Sequence, residues 1–177
     1  YVIEKTVEAL GATVFHGSEN DVLERYYFAV VNRPDVDTIV RVTSDCPLID
    51  PHIINRAVKR FLCSNADYLF NTNDAADFSK HNLYPDGMDV EVFSKAALSL
   101  AHLNATDPKD REHVTRYMLR SDDFQKRILE YRRRLPRYHW SINTAEDLSF
   151  VRVVYLTLGE DFTLEDILKL VEEKTNG

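Results

Sequence analysis

The segment VRVTSDCPLIDP, residues 40–51, ends an apolar run on a carboxylate. Asp45 is followed by Cys46 and Pro47, and a second acid–proline pair comes at Asp50–Pro51. In α/β sheets, ligands bind beyond the carboxyl ends of the strands. An acid placed there can hold Mg²⁺, which takes one or two protein carboxylates and fills its other positions with phosphate and water oxygens. Pro47 turns the chain away sharply, which would keep the carboxylate facing a crevice. The same Asp45 also suits a plain turn or cap, and by itself the segment leaves both readings open.

Three other segments carry chemistry-bearing residues. GSENDVLERY sets Gly17 and Ser18 before a helix start, with Asp21 and Arg25 on its first turns. Small residues there let backbone N–H groups approach an anion or a base edge; the plainer reading is an N-cap by Ser18 or Asn20. YPDGMDVEVFS runs from a turn into a strand and carries Asp86, Asp89 and Glu91. REHVTRYM sets Glu112 and His113 on a helix, but no second histidine follows at i+4 to build a zinc site.

These residues need a scaffold, and 177 residues suffice for one compact domain, expected over 1–177, with a sizeable core. The net charge of −7 argues against a non-specific nucleic-acid binder, which draws its affinity from cationic surface. The basic cluster Arg132, Arg133, Arg134 and Arg137 reads as a solvated turn or strand edge rather than an RNA patch. No apolar stretch approaches the roughly 18 residues that a membrane span needs, and no secretory signal pattern is seen. Two cysteines, Cys46 and Cys63, make no disulfide framework and suggest a reducing cytoplasm.

Helical and extended patterns alternate. A helix over 1–10 closes at Gly11, a short strand ATVFHG follows, and an amphipathic stripe covers 20–33. DTIVRVT reads as a buried strand, and Asp50–Pro51 cap and open a helix carrying Ile53, Ala57 and Phe61. DYLFNT and MDVEVFS read as strands, separated by a polar loop over 71–87. Helices are expected at about 94–104 and 109–120, and extended pieces at 126–132 and 138–142. Thr144 with Asp147, and Thr163 with Asp166, open two more helices in capping-box spacing. The order βαβαβ, then mixed elements, predicts an α/β fold on a mainly parallel sheet with some antiparallel pairing.

The blocks GSENDVLERY, VRVTSDCPLIDP, DYLFNT, YPDGMDVEVFS, REHVTRYM and INTAEDL, in this order and spacing, resemble the cytidylyltransferases of the spore coat polysaccharide biosynthesis protein F type, relatives of CMP-sialate and CMP-KDO synthetases. The resemblance runs from about Gly11 to Val153. It implies a three-layer α/β/α fold of the nucleotide-diphospho-sugar transferase type. It also implies transfer of CMP from CTP to a sugar acid with release of pyrophosphate, Mg²⁺ as cofactor, and a cytoplasmic homodimer that contacts its partner through the 71–87 loop and the MDVEVF strand. Asp45 matches the metal-binding acid, and Gly17, Ser18, Asp21 and Arg25 match the segment nearest the nucleotide base. Arg41 would bring charge near the phosphates. Asp86, Asp89 and Glu91 fall in the sugar-side and subunit-contact block, and Glu112 and His113 in a substrate or interface helix.

Two departures qualify that expectation. Relatives begin with a strand, an Arg- and Ser-containing phosphate loop ending in Lys, a helix and a second strand, whereas this chain starts at YVIEKTVEALG, so an N-terminally truncated domain is expected. At WSINTAEDL, Asn143 stands where relatives carry the second metal-binding Asp; its carbonyl oxygen can still reach Mg²⁺, without the charge. Two further readings therefore stay beside the enzyme. One is a non-catalytic fragment or paralogue that serves as an assembly partner, and the other is a sugar-1-phosphate nucleotidylyltransferase.

Overall fold

The computed structural model describes residues 2–71 and 81–175, with side chains to 173. Most of the loop expected at 71–87 as a subunit contact, residues 72–80, lies outside the described residues. The elements are α1 (Val2–Ala9), α2 (Val22–Val30), β1 (Thr38–Arg41), α3 (Pro51–Leu62), β2 (Tyr68–Phe70), β3 (Glu91–Ser94), α4 (Lys95–Asn104), α5 (Pro108–Glu112), α6 (Arg116–Arg120), β4 (Lys126–Ile128), α7 (Ala145–Leu158) and α8 (Leu164–Thr175). They pack as two compact units, Tyr1–Thr38 with Ser94–Phe124, and Ile39–Phe93 with Gln125–Gly177. Among the described residues, no helix is long and apolar enough to cross a membrane.

The second unit carries the sheet, in the order β1-β3-β2-β4. It is mixed: β2 runs antiparallel to β3, with Phe70 opposite Glu91, and parallel to β4, with Leu69 opposite Arg127. Below it, α3 forms where the sequence places it. The Asp50 side chain accepts the His52 N–H at 2.7 Å, Pro51 sits in the first turn, and Ile53, Ala57 and Phe61 are buried. These three join Leu48, Leu69, Met88, Val90, Trp140, Val154 and Ile167 in one apolar cluster. The other Asp50 oxygen accepts the Leu164 N–H at 2.9 Å, so one buried carboxylate satisfies the starts of α3 and α8 together. Thr144 and Asp147 form the expected capping box on α7, and Thr163 and Asp166 exchange the matching bonds before α8.

In the first unit, α2 packs on α4 and α5, and α6 packs on both α4 and α5. The fully buried Asp110 on α5 takes Arg116 Nη1 at 2.7 Å and Arg120 Nε at 2.8 Å, which ties α5 to α6. Gly11 closes α1 at φ +79°, the left-handed geometry that glycine adopts without penalty.

Two expectations differ from the fold. ATVFHG is irregular and mostly exposed; β propensity without a neighbouring strand to receive its N–H and C=O groups does not make a strand. The helix expected over 109–120 is broken into α5 and α6 by Val114, which is fully buried at φ +53°. Two β-branched residues in succession, Val114 and Thr115, are weak helix formers at that point. The stretch 138–142, expected as an extended piece, makes a single parallel bridge, Asp86 with His139.

Candidate functional site

In the second unit, the loop after β1 is fixed from both sides. Ile142 donates its backbone N–H to the Asp45 carbonyl at 2.8 Å, which brings Asp45 alongside the segment carrying Asn143. The Asp45 side chain is exposed, and among the described residues its one side-chain hydrogen bond is from the Cys46 thiol at 3.7 Å. Asp45 is therefore not a cap: the cap of α3 is Asp50. Cys46 itself is buried and also meets Thr43 Oγ1 at 3.2 Å. Burial first, then the charges of Asp89 and Asp45, push its thiol up to about 11. Cys46 is thus a neutral packing residue that lies near both carboxylates.

Asp89 owes its place to Asn71. The fully buried Asn71 amide donates to the Met88 carbonyl at 2.8 Å and accepts the Val90 N–H at 2.7 Å, so it clamps the residues on either side of Asp89. Asp89 Oδ2 accepts the Gly87 N–H at 3.1 Å. Gly87 has φ +92°, and a Cβ there would lie 2.6 Å from the Trp140 carbonyl carbon and the Ser141 nitrogen. Only glycine lets this turn lie against residues 140 and 141.

That close approach assembles a polar chain. Asp86 Oδ2 bonds His139 Nδ1 and accepts the Ser141 hydroxyl at 3.2 Å. On the other side of the ring, His139 Nε2 meets Asn143 Nδ2 at 3.2 Å. The Asn143 amide also reaches Ser141 Oγ at 3.4 Å, an orientation that leaves its carbonyl oxygen as the end available to a cation. Asp147 is committed elsewhere. Hydrogen bonds from the Asn143 and Thr144 N–H groups and the Thr144 hydroxyl hold its carboxyl below the usual range, as a cap requires.

Arg41 and Glu91 are brought together with each other. Arg41 Nη1 bonds Glu91 Oε2, and the buried Tyr68 hydroxyl bonds Glu91 Oε1. This links β1, β3 and β2 through a carboxylate that is 4% exposed. With its charge facing Glu91, Arg41 serves to hold strands in place.

The remaining sequence-selected residues lie in the first unit. Asp21, not Ser18 or Asn20, caps α2: its Oδ1 accepts the Glu24 N–H at 2.9 Å. Ser18 accepts the Asp21 N–H at 3.0 Å, and its carbonyl accepts Arg25 Nη1 at 2.7 Å. The Arg25 stem covers Gly17, where an added Cβ would meet Arg25 Cγ at 3.0 Å. Arg111, absent from the expected set, bonds Asp21 Oδ2 at 2.7 Å and the His102 carbonyl at 2.8 Å. His102 stacks on Tyr27 at 4.2 Å, and burial together with the Arg111 charge lowers its affinity for a proton. Glu112 and His113 are exposed at the end of α5, beside the left-handed Val114. Strain at a β-branched residue is the kind that functional segments retain.

Among the described residues, no three acids, histidines or cysteines form a metal cage. Mg²⁺ bound through phosphates does not need one. The exposed Asp45 carboxylate and the Asn143 carbonyl oxygen are oxygen donors of the kind that Mg²⁺ takes, and Asp89 lies near Cys46 as a second acid. The sequence-level reading missed His139, Asn71, Ser141 and Arg111. The one local signal was Asn71, a polar residue set directly at the end of the apolar run YLF.

Residues 2–175 match the family described as Cytidylyltransferase. The chain is 34% identical over 168 residues to the uncharacterized protein MJ1063 of Methanocaldococcus jannaschii, a match that covers 93% of this chain and 63% of that protein. It is 28% identical over 167 residues to the spore coat polysaccharide biosynthesis protein SpsF of Bacillus subtilis, covering 91% of this chain and 65% of that one. The chain thus spans a little under two thirds of the length of these two curated relatives. A solved cytidylyltransferase structure from Leptospira borgpetersenii superposes with a TM-score of 0.88 at 27% identity, over 99% of this chain and 72% of that chain. The α/β fold with one central sheet agrees with the nucleotide-diphospho-sugar transferase type. On this family match, supported by sequence and fold, the chain belongs to the cytidylyltransferase family.

Proposed function

We propose that this chain carries the acidic half of a cytidylyltransferase site and transfers CMP from CTP to a sugar acid, in the biosynthesis of a polysaccharide or surface glycan. The observation that carries this reading is the Asp45 carboxylate, exposed and held next to Asn143 by the Ile142–Asp45 bond. Asp45 and Asn143 would hold Mg²⁺, which when bound neutralises the phosphates and favours in-line displacement.

The chain's own residues supply the rest. An acceptor hydroxyl oxygen forms a bond to the α-phosphorus, the bond from that phosphorus to the bridging oxygen breaks, and pyrophosphate leaves with the electron pair. The acceptor proton needs a base. His139 suits that role if its Nε2, which accepts from the Asn143 amide in this structure, exchanges that partner for the acceptor hydroxyl, since Asp86 already fixes its Nδ1 side. Asn71 and Gly87 hold Asp89 and Asp86 in place. By the family resemblance alone, Gly17, Ser18, Asp21 and Arg25 are assigned to nucleotide-base contact, and Glu112 and His113 to substrate or partner contact. A homodimer follows from the same family reading, and light scattering at micromolar concentration tests it.

Pyrophosphate release tests the activity. CTP with a panel of sugar acids should release pyrophosphate only when Mg²⁺ is present, with ATP, UTP and GTP inactive. Equal release from UTP would favour a sugar-1-phosphate nucleotidylyltransferase, and no release with any nucleotide would favour the partner role.

A further inference from the structure

A polar cleft lies in the sheet-bearing unit, lined by none of the residues of the Asp45 site. It measures about 300 Å³ and is lined by Arg60, Cys63, Ser64, Asn65 and Arg127. Its walls come from two elements. Arg60 and Cys63–Asn65 form the last turn and exit of α3, and Arg127 sits on the edge strand β4. Arg127 is in register with Leu69, so it stands on the sheet face that α3 covers.

The lining is cationic and unspent. Among the described residues, neither guanidinium has an acid or a carbonyl as partner, and no acidic side chain lines the cleft. A helix C-terminus alone disfavours an anion, but here two of its last carbonyls are taken up by the exit turn. Cys63 N–H bonds the Lys59 carbonyl at 3.1 Å, and the Ser64 N–H and hydroxyl bond the Phe61 carbonyl at 2.9 and 2.8 Å. Two planar guanidinium forks and the Asn65 amide are left as donors. The cleft also sits at the opposite end of β2 from Asn71 and Asp89. β2 begins at Tyr68, three residues after Asn65, and ends at Phe70, immediately before Asn71.

We propose that this cleft is a separate anion site that binds a small phosphate group, free or as a monoester, between Arg60 and Arg127. An occupant would bridge the end of α3 to the sheet edge. The assignment does not depend on cytidylyl transfer.

Cys63 provides the readout, because it is the exposed thiol and Cys46 is buried. The rate of Cys63 alkylation by iodoacetamide is followed by peptide mass spectrometry in inorganic phosphate, in glycerol 3-phosphate, and in chloride at equal ionic strength. Both phosphates should slow alkylation saturably, by roughly fivefold or more, and Arg60→Gln with Arg127→Gln should abolish the effect, as the loss of bidentate phosphate contacts requires. A preference for glycerol 3-phosphate would identify a monoester as the ligand, and equal protection would identify the phosphate group alone. Arg60→Lys and Arg127→Lys keep the charge but lose the fork, and should retain only part of the protection. Slowing no greater than in chloride, or unchanged in the folded double Gln variant, would overturn the proposal.

Discussion

Ile142 donates its backbone N–H to the carbonyl of Asp45 at 2.8 Å. This bond fixes the position of the Asp45 backbone without using its side chain. The carboxylate is left exposed while the loop that carries it is anchored to the segment entering α7. The arrangement pairs a backbone donor with a backbone acceptor and still presents a charge to solvent.

The same segment depends on Gly87. A Cβ at that position would lie 2.6 Å from backbone atoms of Trp140 and Ser141, and φ is +92°. Gly87→Ala should cost at least about 2 kcal/mol, because neither the clash with fixed backbone nor the dihedral relaxes cheaply. Urea denaturation measures this, and a change within about 0.5 kcal/mol would contradict the packing described, since that is the range of ordinary surface substitutions.

Asp50 offers a different test, of stability alone. Its two oxygens accept N–H groups from His52 at 2.7 Å and Leu164 at 2.9 Å, and the residue is 5% exposed. Asp50→Ala should therefore cost about 2–3 kcal/mol, the loss of two cap bonds at once. Asp50→Asn keeps one acceptor oxygen and should cost less. Equal denaturation midpoints for Asp50→Ala and wild type would mean that the two helix starts are satisfied by water.

Cys46 carries a pH signature. Its thiol titrates at about 11 in the folded chain against an ordinary 9.0, chiefly through burial. The folded state thus holds this proton more tightly than the unfolded state. The resulting stabilisation is complete below pH 9.0 and is lost as pH rises toward about 11. Chemical denaturation from pH 8 to 11 should show a decline that is shallower in Cys46→Ala. At pH 8, alkylation of the native chain should modify Cys63 and spare Cys46. Equal reactivity of the two thiols would contradict the burial of Cys46.

What was legible in the sequence is local. The caps at Asp50–Pro51, Thr144–Asp147 and Thr163–Asp166, and the Gly11 stop, join residues within a few positions of each other, and spacing reveals them. The strand at 12–17 failed because a strand is defined by its neighbour, which composition does not specify. The residues that organise the site were hidden for the same reason. His139 meets Asp86 across 53 positions, and Arg111 meets Asp21 across 90. Asn71 acts across 17 and 19 positions, on Met88 and Val90. Asp45 itself was visible as an acid ending a strand, but its exposed side chain and its anchoring by the Ile142 N–H became apparent only in the fold.

The central claim is that Asp45 serves a cation and nucleotide rather than the fold. The direct test is calorimetric titration of the chain with CTP, with and without Mg²⁺, for wild type and Asp45→Ala. Wild type should bind CTP more tightly with Mg²⁺, and the variant should lose at least about tenfold in affinity, or 1.4 kcal/mol, with an unchanged melting temperature. Affinity that is indifferent to both Mg²⁺ and the substitution, in a folded chain, would contradict the account.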